Sequence, residues 1–216
     1  MIREIQLLDL LTIVEAAGTT LLLSLVAFVG SSLIGILIAG LRFSRVGPVR
    51  WLAILYVQIV QGTPLLVWLF LLFFGLATLG FNISAWLAVS VGFSIYGGAF
   101  LGETWFGALR SVPKTQWEAA SSLGIGVFHQ FTWVILPQSI RIAIPPTIGF
   151  AVQLLKNTSL ASTIGVYELT QSGQYLSAAT YKPLLAYSIV ATIYFVICYP
   201  LTTWSRGLER KLDVNR

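Results

Sequence analysis

From Trp51 to Gly102 the chain runs 52 positions without an Asp, Glu, Lys or Arg. A helix of about 20 apolar residues already crosses the hydrocarbon core of a bilayer, so this run holds two spans and the turn between them. The turn belongs where Gly80, Asn82 and Ser84 cluster, within Thr78 to Ser84. The rest of the composition agrees. Of 216 residues 56% are hydrophobic and 10% charged, and the mean hydropathy is +0.84, which is the balance of an integral membrane protein. With no water available to the backbone inside the bilayer, spans of this length read as helices, and the expected class is all-α.

Five spans are expected, at about 18–41, 51–77, 84–109, 140–160 and 183–205, in one membrane domain over 1–216. Gly18 to Leu41 and Pro183 to Ser205 are free of charge for 24 and 23 positions. Gln61-Gly62-Thr63-Pro64 interrupts the second span and reads as a kink. The fourth is the least regular, with Pro145-Pro146 near its start and Lys156-Asn157-Thr158-Ser159 near its end, and it leaves room for a non-helical or re-entrant piece there, buried in protein or lining a cavity. Residues 160–182 read as a linker with a short helix or re-entrant turn around Val166 to Tyr175. The start, Met1-Ile2-Arg3-Glu4 with acids at Asp9 and Glu15, lacks the basic region of a cleaved signal peptide, so the first apolar run is expected to remain as a span.

Charge sets the orientation. Of the 13 Lys and Arg, nine fall on one side: Arg42, Arg45, Arg50, Arg110, Lys114 and the tail from Arg206 to Arg216. Arg3 and Lys182 fall on the other, Arg141 lies at an edge and Lys156 within a span. The positive-inside rule then places the N-terminus outside and the C-terminus in the cytoplasm, with an odd number of spans between them. The net charge of +5 is spread over short loops with no basic face, so nucleic acid is not an expected partner. Cys198 sits alone in an apolar run and His129 is the one histidine, which leaves no disulfide framework, metal cluster or catalytic constellation. No enzymatic activity is expected.

One polar island stands between the spans, at about 110–137. Pro113 suits the first position of a helix and Gly124 the left-handed residue that ends one, so 113–123 form a short helix. Trp117, Ala120, Gln116, Ala119 and Leu123 gather on one side of it, and Lys114, Glu118, Ser121 and Ser122 on the other. A second amphipathic helix is expected over 127–136, interrupted by Pro137. Such a pair could lie on lipid headgroups as a connector. Alternatively its Ala-Ala face and neighbouring carboxylate form a knob for a groove on a soluble partner, since small side chains allow close backbone approach and a Glu can pair with a cation.

Glu118-Ala119-Ala120, three residues, Gly124, and then Ile135-Leu136-Pro137 resemble the EAA loop of permease subunits in ATP-binding-cassette importers. Gly62-Thr63-Pro64-Leu65, Ser111-Val112-Pro113-Lys114 and Leu155-Lys156-Asn157-Thr158-Ser159-Leu160, followed by Ile164-Gly165-Val166-Tyr167-Glu168-Leu169, are similar to the branch that takes up polar amino acids such as histidine, glutamine and arginine, and opines. The resemblance implies a type I permease of the inner membrane. Two such subunits pair, two cytoplasmic ATPases using ATP and Mg dock on Glu118, Ala119, Ala120, Leu123 and Gly124, and an external binding protein delivers the solute. No cofactor would bind this chain itself, and no Gly-x-x-x-x-Gly-Lys-Ser/Thr phosphate loop occurs in it.

Charged groups inside spans point to function. Glu103 and Lys156 are therefore candidates for the solute path, with Gln61, Thr63 and Asn157 as uncharged partners and Gln58 beside them. Each has a structural alternative: Glu103 as a fixed ion-pair partner between helices, Lys156 as a snorkelling cap, and Gln61 to Pro64 as a kink alone. Trp68, Trp86 and Trp204 read as interface anchors. Three positions depart from the resemblance: Gln61 where Arg commonly precedes Gly-Thr-Pro, Phe106 where Arg commonly follows the third-span Glu, and Phe150 where Asn commonly follows Gly. A lost cation and a lost amide weaken this subunit's own grip on a carboxylate, and suggest a non-identical sister permease. The alternatives are a different small solute for the same architecture, or a secondary transporter, whose inverted repeat or acidic relay is not visible.

Overall fold

The computed structural model describes residue 4 and residues 6–213; Arg3 and Arg216, counted above for orientation, lie outside them. The described residues form eight helices: α1 Leu7–Arg42, α2 Gly47–Gln61, α3 Leu65–Thr78, α4 Ala85–Ser111, α5 Lys114–Ser122, α6 Val127–Ile164, α7 Leu169–Thr180 and α8 Pro183–Asp213. Four of them (α1, α4, α6 and α8) are long and apolar enough to cross a membrane, and a fifth span results when the bent pair α2 and α3 is taken as one.

Helix α1 starts at Leu7 rather than Gly18. A capping box explains the early start: the Gln6 N–H donates to Asp9 Oδ2 at 2.8 Å, supplying a helix beginning that apolar periodicity does not register. The second span is broken more deeply than a kink, for α2 and α3 diverge by 100°. Pro64 cannot donate and disfavours helical geometry at Thr63, and Thr63 fixes the resulting corner. Its hydroxyl donates to the Ile59 carbonyl at 2.9 Å and accepts from Trp68 Nε1 at 2.6 Å, so Trp68 pins a corner.

The helix expected over 127–136 does not stop at Pro137. It widens into a π turn over Gln130–Ile135 and continues as α-helix through Leu136–Asn157. The wide turn accommodates the missing N–H and the ring of Pro137 without ending the helix. Pro145 and Pro146 also lie inside α6, so 140–157 is α-helix and not re-entrant, and the last stretch, Thr158–Ile164, tightens to 3₁₀ geometry. The short helix expected near Val166 to Tyr175 lies at Leu169–Thr180, and α8 runs past Ser205 to Asp213.

The centre of the bundle is α1 against α4, made close by small residues. A Cβ on Gly98 would sit 2.3 Å from Ile34 Cγ2, and one on Gly97 would sit 2.1 Å from Ser31 Oγ. Side chains there would force the helices apart, as at the small-residue crossings that membrane helices favour. Ser31 Oγ donates across the crossing to the Phe93 carbonyl at 3.1 Å. Leu23, Leu69, Phe93, Leu101 and Leu154 bring α1, α3, α4 and α6 into one core.

Candidate coupling loop and translocation path

Helix α5 is short, and what holds it is α6. Ala120 is 4% exposed and packs inward, while Glu118, Ala119 and Leu123 all face out, Leu123 at 79% exposure. The expected face is thus narrower: Ala119 and Leu123 join Glu118 on the free side. Gly124 takes φ +74°, the left-handed value that lets the chain reverse without cost to a Cβ. Gln130, buried at the start of the π turn, staples the reversal. Its Nε2 donates to the Ser121 hydroxyl at 3.0 Å and to the Ile125 carbonyl at 2.6 Å. An exposed carboxylate beside small and apolar side chains, on a helix fixed to a long one, is a rigid knob.

An apolar groove of about 1050 Å³, lined by Phe43, Leu109, Trp117, Phe128 and Ile140 among others, separates the ends of α1 and α4 from α5 and the start of α6. The knob is therefore carried by α6 and not by α4, although Val112 and Pro113 connect it to α4 in sequence.

The five solute-path candidates fall into two groups, Gln61, Thr63 and Glu103 at the broken corner and on α4, and Lys156 and Asn157 near the end of α6. Gln61, at the broken corner, donates to the Ala99 carbonyl of α4 at 3.4 Å, and Thr63 is engaged in the corner itself. Glu103 stands one turn beyond Ala99 and is paired with Arg42 at the end of α1. Lys156 is exposed in a groove of about 280 Å³ shared with Gln153, Thr202 and Arg206, so it faces α8. Asn157 follows it at the passage from α to 3₁₀ geometry and is half-buried.

Two of the departures acquire partners. The Arg42 guanidinium carbon lies 4.2 Å from the centroid of the Phe106 ring, so a cation comes to that position from another helix. Phe150 stacks on Phe100 at 5.7 Å and closes the core there.

A buried carboxylate completes the set. Glu168 is 0% exposed and caps α7, its Oε1 accepting from the Gln171 N–H at 2.8 Å. Its Oε2 accepts from Tyr194 OH of α8 at 3.1 Å and faces Thr20 Oγ1 of α1 at 3.5 Å. Burial pushes this carboxyl above the usual carboxylate range, against the opposing pull of the Thr170 and Gln171 amides and the Tyr194 hydroxyl. Glu168 stands directly before a polar, helix-forming segment, and this is the signal that marks it as a cap; its partner Thr20 lies 148 residues away and leaves no local trace.

A family model described as "Binding-protein-dependent transport system inner membrane component" matches residues 31–214. "Probable amino-acid ABC transporter permease protein YckA" of Bacillus subtilis is 39% identical over 92% of this chain and 88% of its own length. "L-cystine transport system permease protein TcyB" of the same organism is 37% identical, over 90% and 83%. "Glutamine transport system permease protein GlnP" of Escherichia coli is 32% identical, over 94% and 93%. A chain of a crystal structure described as "an amino acid ABC transporter with histidines" superposes with a TM-score of 0.89 at 30% identity, covering 97% of this chain and 100% of that one. One from the MetNI methionine ABC transporter in an inward-facing conformation superposes at 0.70 with 17% identity, covering 94% and 95%, a likeness of fold. Matched over most of its length, with helices that fit a bilayer and a knob held outside them, the chain belongs to the inner-membrane components of binding-protein-dependent transport systems.

Proposed function

We infer that this chain is the permease subunit of an ATP-driven importer for a polar amino acid or a close relative such as an opine, and that a separate ATPase drives it through the α5 knob. The observation that carries the reading is the stapled knob itself: Glu118, Ala119 and Leu123 lie exposed on a helix fixed to α6 by Gln130, next to the left-handed Gly124. A force applied there moves α6 as a unit, and α6 crosses the bundle to Lys156 and Asn157. Two cytoplasmic ATPases using ATP and Mg, a second and non-identical permease, and an external binding protein complete the machine. The nine basic residues after the first span, beside the knob and in the tail favour a cytoplasmic knob and C-terminus and an external N-terminus. The amino-acid class rests on the names of the relatives, among them glutamine and L-cystine permeases.

Affinity purification of the tagged chain from its native membranes, with mass spectrometry of what accompanies it, tests this reading. An ATPase and a second permease should copurify with the wild type, and Glu118→Lys should lose the ATPase while keeping the permease. A chain that emerges alone, or only with copies of itself, overturns the reading.

A further inference from the structure

We propose that Arg42 is a positioning residue that ties α1 to α4, making α1 the rod that carries movement of the α5 knob to the opposite end of the bundle. The proposal rests on the importer reading above. Arg42 is the last residue of α1, and it meets α4 at two side chains one turn apart, the Glu103 carboxylate and the Phe106 ring. Phe43 adds a third contact, its ring 4.9 Å from Phe106. The Arg42 side chain is only 14% exposed, and its Nε is buried without a hydrogen-bond partner. A cation present only for solubility would turn that donor to solvent; this one is held in place by what it touches.

The least costly neutralisation of Glu103 would come from a cation at the next turn of α4 itself. Position 106 is Phe, so the counter-charge arrives from α1 and the pair joins two helices. Between them Trp105 packs its ring beside Gly35 of α1 and donates from Nε1 to Thr147 Oγ1 of α6 at 2.8 Å. One turn of α4 thus grips both α1 and α6, the helix to which the knob is stapled. About 33 Å further along α1, by its rise per residue, lies Thr20. There Thr20 Oγ1 accepts from the Leu169 N–H at 3.0 Å and faces Glu168, at the corner that follows the Lys156–Asn157 end of α6. The rod is fastened at both ends.

The test uses the complete complex in proteoliposomes, with its own ATPase and binding protein, reading ATP hydrolysis and uptake of a mixture of radiolabelled protein amino acids. Arg42→Ala should lower uptake per ATP about tenfold, the ratio that a mid-range coupling free energy between contacting residues produces. Because an orphaned Glu103 could impair assembly, the second variant is Arg42→Ala with Phe106→Arg, which returns a counter-charge from α4 without tying α1. It should assemble at wild-type yield and still hydrolyse ATP with poor uptake. Wild-type uptake per ATP in either variant overturns the proposal, since Arg42 would then merely neutralise Glu103. Failure of the importer reading looks different, because no ATPase would accompany even the wild type.

Discussion

The phenol of Tyr194 on α8 donates to the carboxylate of Glu168 at the head of α7 at 3.1 Å, and its oxygen also lies 3.2 Å from Thr170 Oγ1. The carboxylate faces Thr20 on α1 as well, so three helices meet on one buried acid. Tyr194→Phe removes a donor from a buried acceptor and should destabilise the folded chain by about 1–3 kcal/mol. Thermal unfolding in detergent, followed by exposure of the buried Cys198 thiol to a maleimide dye, reads this directly; an unchanged midpoint would show that Tyr194 does not support the acid.

The same acid makes stability depend on pH with a determined sign. Burial raises the Glu168 carboxyl in the folded chain, so between its unfolded and folded pKa values the native state holds more protons than the unfolded one. The stabilisation is therefore complete at acid pH, below the unfolded pKa, and is lost as pH rises through the folded value. In Glu168→Gln the group cannot titrate, and its part of the fall in unfolding midpoint from acid to neutral pH should vanish. A slope identical to that of the wild type would mean that other groups carry the whole dependence.

The spans, the knob and the corner at Pro64 were legible because each has a local cause: uninterrupted apolar runs, Pro113 and Gly124 at the ends of α5, and a proline within a span. What escaped was non-local or compensated. Pro137 reads as an end, yet the π turn over Gln130–Ile135 absorbs it, and no pattern in the residues announces that turn. Pro145 and Pro146 likewise stay within helix, where Pro145 is buried and Ser205 Oγ of α8 donates to its carbonyl at 3.0 Å. For the charged candidates hydropathy marks only depth. The direction each side chain faces, Glu103 toward α1 and Lys156 toward α8, follows from packing among residues far apart in sequence.

Gln130 predicts how the knob depends on its staple. Gln130→Leu keeps the volume but removes both donors, leaving the Ile125 carbonyl and the Ser121 hydroxyl without that partner. The hairpin should loosen by about 1–3 kcal/mol. Limited proteolysis near Gly124 to Gly126 should accelerate, and copurification of the ATPase should weaken although Glu118 is untouched. Unchanged cleavage would show that Ala120 packing alone holds α5.

The α1–α4 crossing makes the most severe prediction. Gly98 and Gly102 lie four apart on α4 and receive Ile34 and Ile38 of α1; a Cβ at these positions would meet the isoleucine side chains at 2.3 Å and 2.8 Å. Unlike the far end of a long flexible chain, a β-branched residue inside a helix has little rotamer freedom with which to withdraw. Gly98→Val should therefore push the helices apart, at a cost of about 1–3 kcal/mol or more from overpacking. The separation would also draw Arg42 away from Glu103, since both lie on the same two helices beyond the crossing. Lower amounts of the chain in membranes are expected, together with partial recovery when Ile34→Ala makes room. Normal amounts of Gly98→Val protein would mean that the crossing is looser than the glycines imply.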